Sequence, residues 1–257
     1  MLGKTAGGLY WMFRFLERSE NIARLIEAGF RIALTRSTDA ASDWKSVVTT
    51  AGVRRGYDAL YDSYTAENVV DYLLRDTRNP SSAITVIDNA RTNARMVRTA
   101  LTTEVWEAVN ENWMAMKKAL KSPIPDTELP ALLGEIRRHS ALVRGALHGT
   151  MLRTDIYDFA QIGTAIERAD YTARIIDVKY YTLLPSANFV GSPLDNVQWE
   201  TILRSVSAHR SFRWLGDGEM TPSGIAEFLI LDSRFPRSLY FACKALREHL
   251  AYLAEDY

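Results

Sequence analysis

A charged helical phrase occurs twice in this chain, and it limits what the chain can fold into. Residues 17–27 read ERSENIARLIE and residues 167–177 read ERADYTARIID. Both copies begin with Glu-Arg, contain Ala-Arg in the middle and end in Ile plus an acid. Apolar residues continue at helical spacing on either side of each copy. The repetition predicts two helices that play equivalent roles in one fold.

The first copy places acidic side chains on an apolar helix face. On a helical wheel centred on Leu16, Glu20 and Glu27 fall at about 40 and 20 degrees, inside the stripe predicted to be buried. Glu17 and Arg24 fall at about 100 and 80 degrees, on the flank of that stripe. Carboxylates on an apolar face are costly unless they are paired or hydrogen-bonded. The pattern therefore predicts internal partners for these acids.

The second copy repeats the arrangement when the wheel is centred on Ile166. Asp170 and Asp177 then fall inside the stripe, whereas Glu167 and Arg174 fall on its flank. The apolar members of this stripe are predicted to be Phe159, Ile162, Ala173 and Tyr180. The second copy therefore also predicts acids that point into the protein.

A third, related phrase supplies candidate partners for the acids. Residues 88–98 read DNARTNARMVR, and alignment on the Ala-Arg pair places Arg91 and Arg98 in the stripe. Because a guanidinium fork can bind a carboxylate through two hydrogen bonds, Arg91 is predicted to pair with acids such as Glu20 and Asp170. Small residues beside the charges would let the helices approach closely. These small residues are Ser19, Ala23, Ala90, Ala94, Ala169 and Ala173.

Helical periodicity runs through most of the chain, and no convincing strand period is present. The predicted fold is all-α, a multi-helix bundle with internally repeated charged helices. It forms a single domain over 1–257, with two related halves at about 1–121 and 122–257. Helices are predicted at about 6–35, 43–51, 66–76, 81–100, 103–121, 127–148, 155–183, 196–214, 222–231 and 236–254.

Composition narrows the class of protein. The 31 basic and 31 acidic side chains give a formal net charge of zero, which argues against a nucleic-acid binder. No apolar run approaches the roughly 18 residues that a membrane span needs, and Arg14 and Glu17 interrupt what a signal peptide would keep apolar. The single cysteine, Cys243, lies in the apolar phrase LYFACKAL and is predicted to be a small core residue. The expected location is the cytoplasm.

The opening LYWMFRFLERSENIARLIE resembles the start of the bacterial alpha-E family, which is all-helical. Further matches include NPSSAITVIDNARTNARMVRTALTTEVWEAVNENW, IERADYTARIIDVKYYTLLPS and TPSGIAEFLILDSRFPRSLYFACKAL. Members of that family usually continue with a further helical stretch beyond the segment LREHLAYL, where this chain reads AEDY. The resemblance carries the family's charged signature onto Glu17, Arg18, Glu20, Arg24, Arg91, Arg95, Glu167, Arg168, Asp170, Arg174 and Asp177.

The resemblance also implies partners. Proteins of that family are typically encoded beside, or fused to, a circularly permuted ATP-grasp protein and a transglutaminase-like cysteine peptidase. These neighbouring proteins suggest a system that makes, modifies or cuts an amide bond in a peptide. The resemblance therefore implies a helical accessory or substrate-binding protein. No Gly-rich loop follows a strand in this sequence, so no phosphate-binding loop and no cofactor are expected.

Three interpretations of the charged residues stay open. They form a structural ion-pair network, a site for a peptide or amino-acid ligand, or a carboxylate metal site. The metal site is the least favoured, because none of the histidines follows the Glu-x-x-His spacing of di-metal bundles. Those histidines are His139, His148, His209 and His249. The candidate polar site comprises Glu17, Glu20, Arg24, Glu27, Arg91, Arg95, Arg98, Glu167, Asp170, Arg174 and Asp177.

Two classes of function follow from the same residues. The chain is a non-catalytic binding protein, or it is an enzyme that uses the inward carboxylates for acid/base chemistry. Pairing with arginine lowers the pKa of a carboxylate and makes it a poor general base near neutral pH. The sequence therefore favours the binding protein, and it identifies neither a catalytic residue nor an oligomeric state.

Overall fold

A computed structural model describes residues 1, 3–35, 40–179, 192–215 and 220–256. In these ranges the regular structure is helical, with no strand, as the all-α prediction requires. The helices are α1 Gly3–Thr35, α2 Ala40–Thr50, α3 Arg54–Asp58, α4 Ala66–Leu74, α5 Ala83–Met96, α6 Thr103–Ala119, α7 Leu129–Thr150, α8 Asp155–Val178, α9 Pro193–Ser205, α10 His209–Trp214, α11 Pro222–Leu231 and α12 Leu239–Asp256. No helix in the described ranges is both long and apolar enough to cross a membrane.

The helix boundaries differ from the prediction in a few places. The helix predicted at 196–214 is divided into α9 and α10, because Ser207 adopts a positive φ of 58° and stops the first of them. The helix predicted at 81–100 ends at Met96 and is followed by a 3-10 turn over Arg98–Ala100. The short helix α3 was not predicted. Residues 180–183 of the helix predicted at 155–183, including Tyr180, lie outside the described residues.

The chain packs as two compact units, each built from separate stretches of sequence. Unit 1 consists of Met1–Ala23, Val70–Glu167 and Lys244–Tyr257, and unit 2 consists of Arg24–Val69 and Arg168–Cys243. Both units draw on residues from either side of position 121, so they do not coincide with the predicted halves. A relationship between those halves stays a prediction.

The core of unit 1 is formed by apolar faces of α1, α5, α6, α7 and α8. The buried positions of α5 are spaced by three and four residues, as expected for one face of an amphipathic helix. The core residues are Leu9, Met12, Phe13, Leu16, Ala90, Ala94, Val97, Leu101, Val105, Val109, Val143, Leu147, Met151, Tyr157 and Ala160. This core holds the charged side chains described below.

Within unit 1, α1 and α8 run parallel and approach each other closely. The amino group of Met1 lies 3.6 Å from Asp155, and Arg14 binds Glu167, so contacts advance together along both helices. A Cβ atom on Gly163 would lie only 2.3 Å from the carbonyl oxygen of Tyr10. The absence of a side chain at Gly163 therefore permits the close packing of α8 on α1.

This close approach makes the effect of a methyl group at residue 163 predictable. We expect Gly163→Ala to lower the free energy of unfolding by about 1–3 kcal/mol, because overpacking a core forces the backbone to shift. Gly145→Ala on α7 is the matched control, since a Cβ there meets nothing within 4 Å. Its effect should be neutral or stabilising by up to about 1 kcal/mol, through helix propensity. Urea unfolding midpoints measure both, and equal midpoints would contradict the close approach.

Unit 2 contains a small apolar cavity and a buried ion pair. The cavity, of about 30 Å³, is lined by residues that include Ile32, Val47, Ile175 and Ile202. The ion pair joins Lys179, which follows α8, to Asp195 in the first turn of α9. A cavity of this size matches one water molecule rather than an organic ligand.

Candidate functional site

The carboxylate of Glu167 on α8 is held by two arginines of α1. Arg14 Nε donates to Oε2 at 2.8 Å. Arg18 binds as a fork, with Nε donating to Oε1 at 2.6 Å and Nη2 donating to Oε2 at 2.9 Å. Glu167 itself is only 3% exposed. The arginine of the first Glu-Arg pair therefore binds the glutamate of the second, because α1 and α8 lie parallel in unit 1.

Arg14 is fixed in place by its surroundings. Its Nη1 donates to the hydroxyl of Tyr10 at 3.2 Å, and its guanidinium carbon lies 5.1 Å from the ring centroid of Trp11. Burial lowers the pKa of Arg14, but the charge of Glu167 and its hydrogen bond outweigh that effect and raise the pKa above its ordinary value. The guanidinium therefore stays charged beside Glu167.

A second group in unit 1 joins α1 to α7. Arg144 Nη1 donates to Glu20 Oε2 at 2.5 Å, to Glu17 Oε2 at 3.2 Å and to Ser140 Oγ at 3.1 Å. Ser140 Oγ in turn donates to the carbonyl oxygen of Leu16 at 3.1 Å. Two acids from consecutive turns of α1 thus share one guanidinium from α7.

We call these six residues the charged cluster: Arg14, Glu17, Arg18, Glu20, Arg144 and Glu167. Its acids are 1–3% exposed, whereas the side chains of its arginines are 17–24% exposed. The arginines therefore lie between the acids and the solvent. A general base must come within hydrogen-bond reach of its substrate, and here arginines of the same unit already bind all three acids. The geometry is that of an ion-pair network that joins α1, α7 and α8.

The acids of the first copy are buried only at its N-terminal end. Glu17 and Glu20 are both buried, so Glu17 lies inside rather than on the flank. Beyond Ala23, α1 belongs to unit 2, where Arg24 donates to Ser207 Oγ at 2.5 Å and Glu27 forms a half-exposed pair with Arg31 at 3.1 Å. The prediction of a buried Glu27 is therefore wrong, because the neighbours of α1 change along its length.

For the second copy, the predicted buried stripe is correct at Ile162, which is buried, and wrong at Asp170, Ala173 and Asp177. Asp177 and Ala173 are exposed, and Asp170 forms a largely exposed pair with Arg174 at 2.9 Å. The buried acid is instead Glu167, which was predicted to lie on the flank. In the part of α8 that belongs to unit 2, the buried positions lie on roughly the side of the helix opposite the predicted stripe. They include Tyr171, Thr172, Ile175, Ile176 and Val178.

The arginines of the third phrase do not enter the core. Arg91 Nε donates to Asn110 Oδ1 at 2.9 Å, and its guanidinium carbon lies 3.8 Å from the ring centroid of Trp113. Arg95 and Arg98 are exposed. The predicted pairing of Arg91 with Glu20 is wrong, since α5 buries its alanine and valine face and leaves its arginines at the edge.

The sequence interpretation missed Arg14 and Arg144 as partners of the buried acids. Arg144 follows Ser140 by one helical turn beside the buried positions Ile136, Val143 and Leu147, and this spacing was the available signal. Nothing local, however, indicates which of the chain's arginines reaches Glu20. That choice depends on the packing of α7 on α1.

The buried pair in unit 2 was also missed. Lys179 Nζ donates to Asp195 Oδ1 at 2.5 Å and to Gln198 Oε1 at 2.8 Å, and it lies 5.5 Å from the ring centroid of Trp199. Lys179 and Asp195 are 0% and 1% exposed. The available signal was a lysine within the apolar run of the phrase IIDVKYYTLL.

Two further expectations are tested by the structure. Cys243 was predicted to be a core residue, but it is exposed, because it lies on the outer side of α12 next to the buried Ala242. Among the described residues, no group of three or more His, Cys, Asp or Glu side chains is arranged to hold a metal ion. The metal-site interpretation gains no support from this geometry.

Comparison with known proteins places the chain in a family. The family model described as "A predicted alpha-helical domain with a conserved ER motif" matches residues 1–257. The chain belongs to the Alpha-E family. Its Glu-Arg pairs are residues 17–18 and 167–168, the starts of the two charged phrases.

The relatives of this Alpha-E chain are longer proteins. Proteins of Mycobacterium bovis and Mycobacterium tuberculosis that are named as uncharacterized are 22% identical to it over 265 residues. These alignments cover 96% of this chain and 29% of each relative, so the chain spans less than a third of their length. No solved structure matches the chain significantly.

Proposed function

We propose that this Alpha-E chain is a cytoplasmic helical accessory or substrate-binding protein of an ATP-grasp amide-ligase or peptide-modification system. Its partners in that proposal are an ATP-grasp protein and a transglutaminase-like peptidase. Family membership supports the proposal, because the resemblance to the family implies that these two proteins are its partners.

The observation that carries the proposal is the burial of the charged cluster. Glu17, Glu20 and Glu167 are at most 3% exposed, and each is bound by an arginine of the same unit. Carboxylates in this state link neighbouring helices and are not accessible to a substrate. This favours a binding protein over the alternative, an enzyme whose inward carboxylates perform acid/base chemistry on a peptide or amino acid.

The test combines this chain with a circularly permuted ATP-grasp protein from the same organism, the partner that the proposal names. We expect the two to co-elute in size-exclusion chromatography, and we expect ADP release by the ATP-grasp protein to depend on this chain. We expect the isolated chain to release no ADP and to cleave no peptide, because its carboxylates are covered. Robust turnover by the isolated chain that Glu17→Gln or Glu20→Gln abolishes, while the variant stays folded, would establish the enzyme instead. Failure to co-elute under any condition would remove the accessory role.

A further inference from the structure

A row of cationic and aromatic side chains lies on the surface of the α5–α6 pair in unit 1. The guanidinium carbon of Arg91 lies 3.8 Å from the Trp113 ring centroid, and that of Arg98 lies 5.3 Å from the Trp106 ring centroid. Arg95 is exposed between the two arginines. Lys117 Nζ lies 4.6 Å from the Trp113 ring centroid. We call these residues the Arg-Trp ladder: Arg91, Arg95, Arg98, Trp106, Trp113 and Lys117.

Helix geometry explains why these residues form a row. Arg91, Arg95 and Arg98 are spaced by four and three residues, so they lie along one side of α5 and the 3-10 turn that follows it. Trp106 and Trp113 are seven residues apart on α6, which places them two turns apart on one side. The antiparallel pairing of α5 with α6 then sets each tryptophan beside one arginine.

Among the described residues, no acid forms an ion pair with a cation of the ladder. Arg95 and Arg98 form no ion pair or hydrogen bond to any described residue, and the acceptor of Arg91 is the neutral amide of Asn110. Elsewhere Arg31, Arg138 and Arg204 each pair with an acid one turn away. The ladder therefore offers guanidinium groups to an acidic group outside this chain.

Part of the ladder is held in its binding geometry before any partner arrives. Trp113 Nε1 donates to Asp88 Oδ1 at 2.9 Å, which orients the indole, and Asn110 orients the guanidinium of Arg91. Groups that are already ordered lose less conformational entropy on binding. Asp88 brings one negative charge to Trp113, whereas the ladder itself carries four cationic side chains.

We propose that the Arg-Trp ladder binds an acidic helical segment of a partner protein. Guanidinium forks match carboxylates, and tryptophan and arginine are the residue types that most often dominate binding at protein interfaces. From Arg91 to Arg98 the row extends about 10 Å along the helix axis, as do three acids spaced by four and three residues on a partner helix. The inference rests on the proposed function in one respect, because it names the surface that would hold a partner of that system.

An acidic protein segment fits this surface better than a nucleic acid does. Single-stranded nucleic acids need open aromatic faces on which bases stack. Here Arg91 and Lys117 already lie over the Trp113 ring, and Arg98 lies over the Trp106 ring. The formal net charge of zero also gives no long-range attraction for a polyanion.

The surface is tested with a fluorescein-labelled helical peptide that carries glutamates at the ladder spacing. We expect the wild-type chain to bind this peptide in a salt-sensitive manner, and Arg95→Glu with Arg98→Glu to weaken binding at least about tenfold. The control is Arg138→Glu with Arg247→Glu, which changes the charge of unit 1 equally at two other exposed arginines. A peptide with lysines in place of the glutamates should bind the ladder variant better than the wild type.

Three results would contradict the proposed binding surface. The first is that the ladder and control variants weaken binding of the glutamate peptide equally, and the second is that the wild type does not bind this peptide. The third is that single-stranded oligo-dT binds the ladder more tightly than the glutamate peptide does. Thermal unfolding checks that the variants are folded, and Arg95→Gln with Arg98→Gln replaces the charge reversal if they are not.

Co-elution with the ATP-grasp protein separates this inference from the proposed function. We expect the ladder variant to lose co-elution and the control variant to keep it. If both variants co-elute like the wild type, the ladder is not the partner surface and the proposed function stands. If the wild type binds the glutamate peptide but never co-elutes, the ladder stands and the proposed function fails.

Discussion

Arg144→Met should lower the free energy of unfolding by about 3–5 kcal/mol, because it removes a guanidinium that Glu17 and Glu20 share. Both acids are 1% exposed, so solvent cannot replace the lost hydrogen bonds. Small proteins are stable by only about 5–15 kcal/mol, so a loss of this size would be a large fraction of the total. Chemical denaturation followed by circular dichroism measures the change.

Two controls separate the charged cluster from ordinary surface charge. The first control is Arg138→Met, because Arg138 lies on the same helix as Arg144 and its side chain is 61% exposed. The second is Arg91→Met, which removes the arginine that the sequence alone had placed in the core. We expect each to cost under about 1 kcal/mol, the range of exposed ion pairs and exposed cation–π contacts. An unfolding midpoint of Arg144→Met that matches these controls would show that the cluster is not buried as described.

A combined variant distinguishes a structural network from a binding site. Glu17→Leu, Glu20→Leu and Arg144→Met together remove the buried charges and their counter-charge. Apolar replacement of a complete buried ion network is often neutral or stabilising. We expect this variant to recover most of the stability lost by Arg144→Met and to retain co-elution with the ATP-grasp protein. Recovered stability with abolished co-elution would instead assign the cluster to ligand or partner binding.

Lys179→Met should lower the free energy of unfolding by a comparably large amount, because it breaks a buried ion pair in unit 2. The substitution removes the ammonium group from Asp195 and Gln198, and Asp195 is 1% exposed. Truncating one member of a buried ion pair costs about 3–5 kcal/mol, because the remaining charge stays desolvated. The expected result is a lower denaturation midpoint together with faster hydrogen exchange in α9, whose first turn contains Asp195.

The matched control is Lys45→Met, a half-buried lysine of the same unit whose ammonium lies 6.0 Å from the Tyr64 ring centroid. Its loss should cost under about 1 kcal/mol. Lys179→Met combined with Asp195→Leu should regain much of the stability, since no lone charge is then buried. If Lys179→Met alone unfolds no more easily than Lys45→Met, the pair is open to water and the buried geometry is incorrect.

Much of the fold could be predicted because helix formation leaves a local signature. Apolar spacing of three and four residues is visible within one helix, so the all-α class and most helices followed from the sequence. The division at Ser207 could not be predicted in this way. There a non-glycine residue holds a positive φ of 58°, and the apolar spacing continues across it without a break.

The candidate site could be predicted only in part. That Glu20 is a buried acid in need of a partner followed from its helix face and from the cost of burying a charge, whereas Glu17 was predicted to lie on the flank and is buried as well. The identity of the partner did not follow, because Arg144 is 124 residues away from Glu20 in the sequence. Contacts of this kind arise only when α7 packs on α1.

The sequence by itself determined the all-helical class, the positions of most helices and the presence of buried acids, since each depends on residues within a few turns of one helix. The tertiary structure alone decided which face of α8 is buried, which arginines cover the acids, and that Arg91, Arg95 and Arg98 lie at the surface. A helical wheel gives the relative angles of side chains but not the direction of their neighbours. That direction is set only by the residues that pack on each helix in the folded protein.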